Sequence, residues 1–338
     1  MNRDQRVLQY VDKHMKIIEI GPSFNPLAPR SDGWNSKIID HLSREDLIKK
    51  YPDQQIHRIE DVDFIWTSGP IETAVPAELY GTFDACIASH LVEHTPDFIG
   101  FFASMSKLVR PGGLIVIAIP DRRFMFDFFQ PLTLTDRILE AYWEKRTRHT
   151  KGTIYNNAAY NTQNNGMIAW SPRHALTEFS FIGPGVFEAA KTASNAVTDE
   201  SGEYIDCHVW RFTPASLKLV MLELSLLDLF PFTLVEMHEP SDTCEIAFTL
   251  RNTPGAKPSA SAIDPMRLDL FEQIRAESMK TAEGQTLQVQ PIAASQLSRK
   301  RRIVSGVNLL ISGIAGQKTA SFIGRLGRSA GLLSRGSS

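Results

Sequence analysis

Residues Lys16 to Pro26, KIIEIGPSFNP, constrain what this chain can fold into more than any other stretch. Ile17, Ile18 and Ile20 form a short apolar run, interrupted by one acid, Glu19, and cut off at Gly21-Pro22. A β-branched run of this length, stopped by turn formers, predicts a buried parallel strand. Gly21 lets a ligand approach the backbone and admits φ values closed to other residues. Ser23, Asn25 and Pro26 then make a polar turn, as expected at the mouth of an open α/β sheet where ligands bind. An ordinary strand followed by a loop is the plainer alternative.

The next strand sharpens the choice. Lys37-Ile38-Ile39 is apolar and ends in Asp40-His41, roughly 20 residues beyond the first turn. At that spacing an acid at the second strand's tip grips a ribose hydroxyl pair. A carboxylate accepts both hydroxyl hydrogens but repels a 2′-phosphate. GPSFNP lacks the glycine spacing of a dinucleotide fingerprint and the Lys-Ser/Thr of a P-loop. The two strands together favour a nucleoside cofactor without a pyrophosphate, and disfavour a nicotinamide dehydrogenase.

Further motifs follow in order. Phe83 to His90 (FDACIASH) and Leu91-Val92-Glu93-His94 resemble the fourth strand and "hvlEH" continuation of class I S-adenosylmethionine-dependent methyltransferases. Leu108 to Gly113 (LVRPGG) resembles the "LkPGG" turn before that family's fifth strand, here Leu114 to Ile119. The resemblance covers residues 15–125 well and 206–251 more loosely. It implies an α/β fold, a doubly wound Rossmann-like, mostly parallel sheet with an antiparallel last strand, and S-adenosyl-L-methionine as cofactor. Carried over by position, it implies cofactor contacts from Glu19, Gly21, Pro22, Ser23, Asp40 and His41, with Ser89 and His90 against the methionine part. The third strand is expected within Ile56 to Trp66. The acid that commonly follows it, near the adenine amino group, is replaced here by Thr67-Ser68, with Asp61 and Asp63 as nearby substitutes. Pro22, Phe24 and Pro26 fall among the usual glycine positions, which keeps open a binding or regulatory protein that retains the fold without turnover.

Composition bounds the rest. The chain has 338 residues, 43% hydrophobic and 22% charged, with net charge −2, which suits a globular protein with one large domain plus additions. No basic excess points to nucleic acid as partner. Met1 to His14 is polar with charges of both signs, so no N-terminal signal is expected, and no run approaches the ~18 apolar residues of a membrane span. Cys86, Cys207 and Cys244 are far apart and lack CxxC spacing, arguing against a disulfide framework or a cysteine zinc site. They are read as buried spectator thiols in a cytoplasmic protein, and no metal site is expected.

Local signals fill in the chain. A short helix precedes the first strand, and Ser43 to Lys50 carries a capping serine, early acids and late lysines, as a helix prefers. Phe101, Phe102, Met105 and Leu108 fall at helical spacings within 98–108, and Pro111-Gly112-Gly113 ends that helix. Residues 124–205 are an insertion after the fifth strand, far longer than an ordinary crossover. Leu132 to Lys145 should be helical. The segment is rich in aromatics and amides, which suit a sugar's apolar faces and hydroxyl edges but equally the core of a helical subdomain. The resemblance places such insertions above the cofactor as substrate lids.

Ile205 to Pro214 (IDCHVWRFTP) is the second dense motif. Thr213-Pro214 is an N-cap followed by proline at the first helical position. Alternation turns Asp206 and His208 to one side, where the acid can orient the imidazole and raise its basicity toward an acceptor hydroxyl. A structural hydrogen-bonded pair is the alternative. His94 is the competing base; the bland reading of Glu93-His94 is capping or packing. The stretch and the long insertion resemble methyltransferases of bacterial surface-glycan biosynthesis, implying a small-molecule or glycan acceptor methylated on oxygen. Phe230 to Glu236 and Cys244 to Leu250 read as the antiparallel edge pair, closing a domain over 1–252. Residues 253–298 read as a linker and helix. The tail 299–338 opens with Arg299-Lys300-Arg301-Arg302 and has no acids. It is read either as lying on the anionic inner membrane face or as a disordered or partner-docking segment.

Overall fold

The structure, a computed structural model, describes residues 2–196 and 204–283. The tail expected at 299–338, the polar stretch before it from 284, and the end of the insertion at 197–203 lie outside the described residues. Asn2 and Gln5 form a capping box that starts α1 (Arg3–Val7). The core then runs β1 (Ile17–Ile20), β2 (Ser36–Asp40), α2 (Arg44–Lys50), β3 (Phe64–Ile65), β4 (Phe83–Ser89), α3 (Phe98–Leu108) and β5 (Val109–Pro120). The insertion contributes α4 (Thr135–Trp143), α5 (Lys151–Tyr160), the antiparallel pair β6 (Thr162–Asn164) and β7 (Phe179–Phe181), and α6 (Val186–Ala196). α7 (Pro214–Leu226), β8 (Thr233–His238), β9 (Glu245–Arg251) and α8 (Ala260–Glu283) complete the described chain.

Seven strands form one sheet in the order β3-β2-β1-β4-β5-β9-β8. β1 to β5 are mutually parallel, and β9 runs antiparallel to both its neighbours. This is the doubly wound, mostly parallel sheet that the sequence predicts. The unbroken apolar runs follow from burial on both faces. Ile18, Ile20, Cys86, Ala88, Ile115 and Ile117 pack toward α3 and α7, while Ile17, Ala85, Ile87 and Val116 pack toward α1 and the Leu27-Ala28 turn. Each fully buried isoleucine contributes roughly 1.5–3 kcal/mol, so the sheet's centre is a rigid platform for the loops at its carboxyl edge. Cys86, Cys207 and Cys244 are free and buried.

Two expectations shift in detail. The third strand shrinks to Phe64–Ile65, because Ile56–Arg58 closes into a single 3-10 turn. β5 starts at Val109 rather than Leu114: Val109 pairs with Phe83 and Leu114 with Ala85, so Arg110 to Gly113 bulge out opposite Asp84. A Cβ on Gly113 would stand 2.8 Å from the Asp84 carbonyl and 2.5 Å from Val109 Cγ1. The glycine is demanded by that close strand approach.

Candidate functional site

β1 and β2 deliver the first loop. Gly21 has φ +65° and donates to the Ile39 carbonyl at 2.8 Å, and a Cβ there would lie 3.2 Å from Leu91 Cδ2. Pro22 and Ser23 carry the turn, Ser23 itself with φ +50°. Asp40 is buried at the tip of β2, and its carboxylate accepts from Ser23 N at 2.9 Å, His41 N at 2.7 Å and the His41 ring at 2.6 Å. The strand tip and the glycine turn are thus physically joined. Glu19 is buried, accepting from Leu27 N at 2.7 Å and Ala28 N at 3.1 Å, so it holds the loop that follows the turn. Burial pushes its carboxyl up to about 7 against the pull of those two N–H groups.

Ser89 and His90 stand at the carboxyl end of β4. Neither side chain is free: Arg3 donates to Ser89 Oγ at 2.9 Å, and the His90 ring meets Glu245 at 2.6 Å. Arg3 also pairs with Glu245 at 2.7 Å, which ties α1 to β9 across this corner. The residue after the strand, His90, takes φ +53° to make the sharp exit into the turn Val92–His94.

That turn is the base of a polar cluster that three chain segments build together. Glu93 is 1% exposed, and neither of its carboxylate oxygens has a hydrogen-bond partner. His90 Nδ1 comes within 3.3 Å of it, an ion-pair contact off the hydrogen-bonding direction, and His94 Nε2 lies at 4.0 Å. The Glu93 backbone carbonyl accepts from Val209 N at 2.8 Å, which docks the Asp206–His208 segment onto the turn. The rings of His94 and His208 then stand edge to face, centroids 4.6 Å apart.

The acids behind these two imidazoles differ from the sequence reading. Asp206 does not orient His208; it meets His94 Nδ1 at 2.8 Å. His208 Nδ1 instead meets Asp127, at 2.6 Å, and Asp127 also takes Arg211 Nε at 3.1 Å. The Asp206-x-His208 spacing does not pair its members, because Asp206 stays exposed and meets the other loop while His208 turns inward to the insertion. Burial alone would raise the Asp127 carboxyl, but His208 and Arg211 hold it down at about 2. Burial likewise disfavours charge on His94, yet Asp206 and then Glu93 raise its imidazole to about 9. Gln130 donates to both Asp127, at 3.0 Å, and Asn161, at 2.7 Å, pinning the insertion to the cluster. Tyr204 donates to the His94 carbonyl at 3.0 Å and approaches His149 Nε2 at 3.2 Å. Burial and the neighbouring His94 charge push His149 down to about 4.

Asp127, Tyr204, His149 and the Arg3–Glu245 pair carry no local motif that sequence reasoning could use, while Arg211 lies in the Ile205 to Pro214 motif, whose spacing assigns it no role. Two amides taken as sugar-binding candidates are occupied internally: Asn161 by Gln130, and Asn164 by Ala175 O at 2.8 Å. The aromatics divide. Phe128, Trp170 and Phe179 pack on one another as the insertion's core, whereas Tyr155, Tyr160, Phe181 and Phe187 line an open hollow of about 440 Å³.

A Rossmann-like sheet closed by an antiparallel β9, with its polar residues gathered over the carboxyl edge, defines a methyltransferase-type protein. The family model described as "Methyltransferase domain" matches residues 5–177, and the chain belongs to that family. No curated protein sequence matches it. Among solved structures it is similar to a Rhodobacter sphaeroides protein named for Zn-dependent alcohol dehydrogenases, at 16% identity over 75% of this chain and 89% of that one, TM-score 0.40. A SAM-dependent methyltransferase from Thermotoga maritima is 11% identical over 74% of this chain and 88% of that one, TM-score 0.35. The Burkholderia thailandensis 1,6-didemethyltoxoflavin-N1-methyltransferase is 11% identical over 74% and 76%, TM-score 0.35. Those names describe those proteins.

Proposed function

We propose that this protein is an S-adenosylmethionine-dependent methyltransferase that methylates a hydroxyl oxygen on a sugar or glycan. The observation that carries the reading is the cluster at the β4 exit: two imidazoles, each with a carboxylate on Nδ1, facing a buried Glu93 whose oxygens accept no hydrogen bond. The His208 imidazole, oriented by Asp127, suits proton removal from an acceptor hydroxyl. The residues at the mouth fit the nucleoside part of the cofactor. Asp40 stands at the β2 tip beside a glycine turn whose positive φ disfavours a side chain, and the partly exposed His41 ring covers one of its oxygens, where a ribose would take its place. When bound, the cofactor supplies an activated methyl group. The chain positions the acceptor, handles its proton and excludes water.

The test is calorimetric titration with S-adenosylmethionine and with NAD, followed by transfer of a labelled methyl group to a panel of sugars, amines and thiols. Binding of S-adenosylmethionine alone and labelled methyl ether on a sugar are expected. His208→Ala is expected to slow transfer by roughly 10²–10⁴ while cofactor affinity is kept. Transfer only to amines or thiols would refute the hydroxyl reading, and NAD binding would refute the cofactor.

A further inference from the structure

We propose that Glu93, His94 and His208 bind one divalent transition-metal cation, and that the cation takes the acceptor's hydroxyl oxygen as a further ligand. The second half rests on the O-methyltransferase reading above; the first half does not.

The donor set is one carboxylate and two imidazoles, a combination suited to zinc, manganese or iron with coordination positions left open. One ligand atom from each residue lies within 4.8 Å of the others. Ligands about 2.0–2.2 Å from one tetrahedral ion stand about 3.3–3.6 Å apart, so the side chains need to close by up to about 1.5 Å. Two independent features prepare them for it. Each imidazole has Nδ1 engaged by a carboxylate, Asp206 or Asp127, leaving Nε2 as the remaining donor. A carboxylate behind a metal-bound histidine fixes its tautomer and raises its basicity. Both oxygens of Glu93 are buried and lack hydrogen-bond partners, a costly state for a carboxylate that a cation would relieve.

Glu93, Asp127 and Asp206 stand around the two imidazoles; among the described residues Arg211 pairs with Asp127, and His90 lies 3.3 Å from Glu93. The two histidines would ligate in their neutral state. On the outer side of the cluster the His94 and Asp206 side chains are 22% and 61% exposed.

The ion would lower the acceptor's hydroxyl pKa and hold the oxygen in place. The O–H bond breaks with its proton passing to water. The oxygen then forms the new bond to the methyl carbon as the carbon–sulfur bond breaks, leaving a neutral thioether. His208 would then serve as a ligand, replacing the proton-acceptor role proposed for it above, and His208→Ala slows transfer on either account.

The experiment uses the full chain, stripped with chelator and titrated calorimetrically with Zn²⁺ alone and with Mn²⁺ alone. One cation per chain is expected. Glu93→Gln and His94→Ala should each abolish saturable binding while circular dichroism and S-adenosylmethionine affinity stay at the parent level. Asp206→Asn should weaken binding by about 10–100-fold. If the buried Glu93→Gln variant does not fold, the less deeply buried His94→Ala decides. Absence of one-to-one binding, or undiminished affinity in the variants that fold, overturns the proposal. Saturable binding without methyl transfer to any hydroxyl keeps the cation site and overturns its role on the acceptor.

Discussion

Asp127 and Asp206 do similar work for two different imidazoles in opposite surroundings. The Asp127 side chain is 2% exposed and serves His208, Arg211 and Gln130 at once, whereas that of Asp206 is 61% exposed. Removing one partner from a buried ion pair strands the other, at a cost of about 3–5 kcal/mol. Removing an exposed partner costs at most about 1 kcal/mol. Asp127→Ala is therefore expected to lose several times more stability than Asp206→Ala in urea unfolding; equal losses would contradict the division of roles. Of the site, the sequence made His94, His208 and Asp206 legible through residue type and spacing, but paired them wrongly. His208 finds its acid 81 residues away, and no local periodicity encodes so distant a contact.

At the scale of elements, what is local proved readable. Ser43 and Thr213 cap α2 and α7 as predicted, because a cap is a bond between a side chain and backbone three residues on. The bulge in β5 was not readable, since it exists only opposite β4. Asp84 holds that junction: it accepts from Lys16 N at 2.8 Å, where β1 begins, and from Arg110 Nε at 2.7 Å within the bulge. The Arg110 bond, then the Lys16 N–H, depress its carboxyl below the ordinary range. A group with a depressed folded pKa contributes stability above its unfolded pKa and loses it as pH falls through the folded one. Discounted for solvent screening, the contribution is about 0.5–1 kcal/mol. The stability gap between the parent and Asp84→Asn should thus be open at pH 7 and close on acidification. A gap that persists in acid would place the effect in packing.

For the whole molecule, the order β3-β2-β1-β4-β5-β9-β8 puts the β1–β2 mouth and the β4 exit on one edge, and the insertion returns there through Asp127 and Asn161. The strand pattern foretold the edge. It did not foretell that the insertion supplies part of the cluster, because aromatic and amide content alone does not say which residues form a core. The cluster's contacts join residues 81 and 112 positions apart, and its corner is tied by a bond spanning 242. Loop closure over such separations costs entropy before any contact offsets it. Assembly of the site should therefore be a late kinetic event. After dilution from denaturant, far-ultraviolet circular dichroism should recover before S-adenosylmethionine binding does, and simultaneous recovery would contradict the delay. Binding competence would then report that the last long-range closures have occurred, which recovery of helix and sheet signal alone does not.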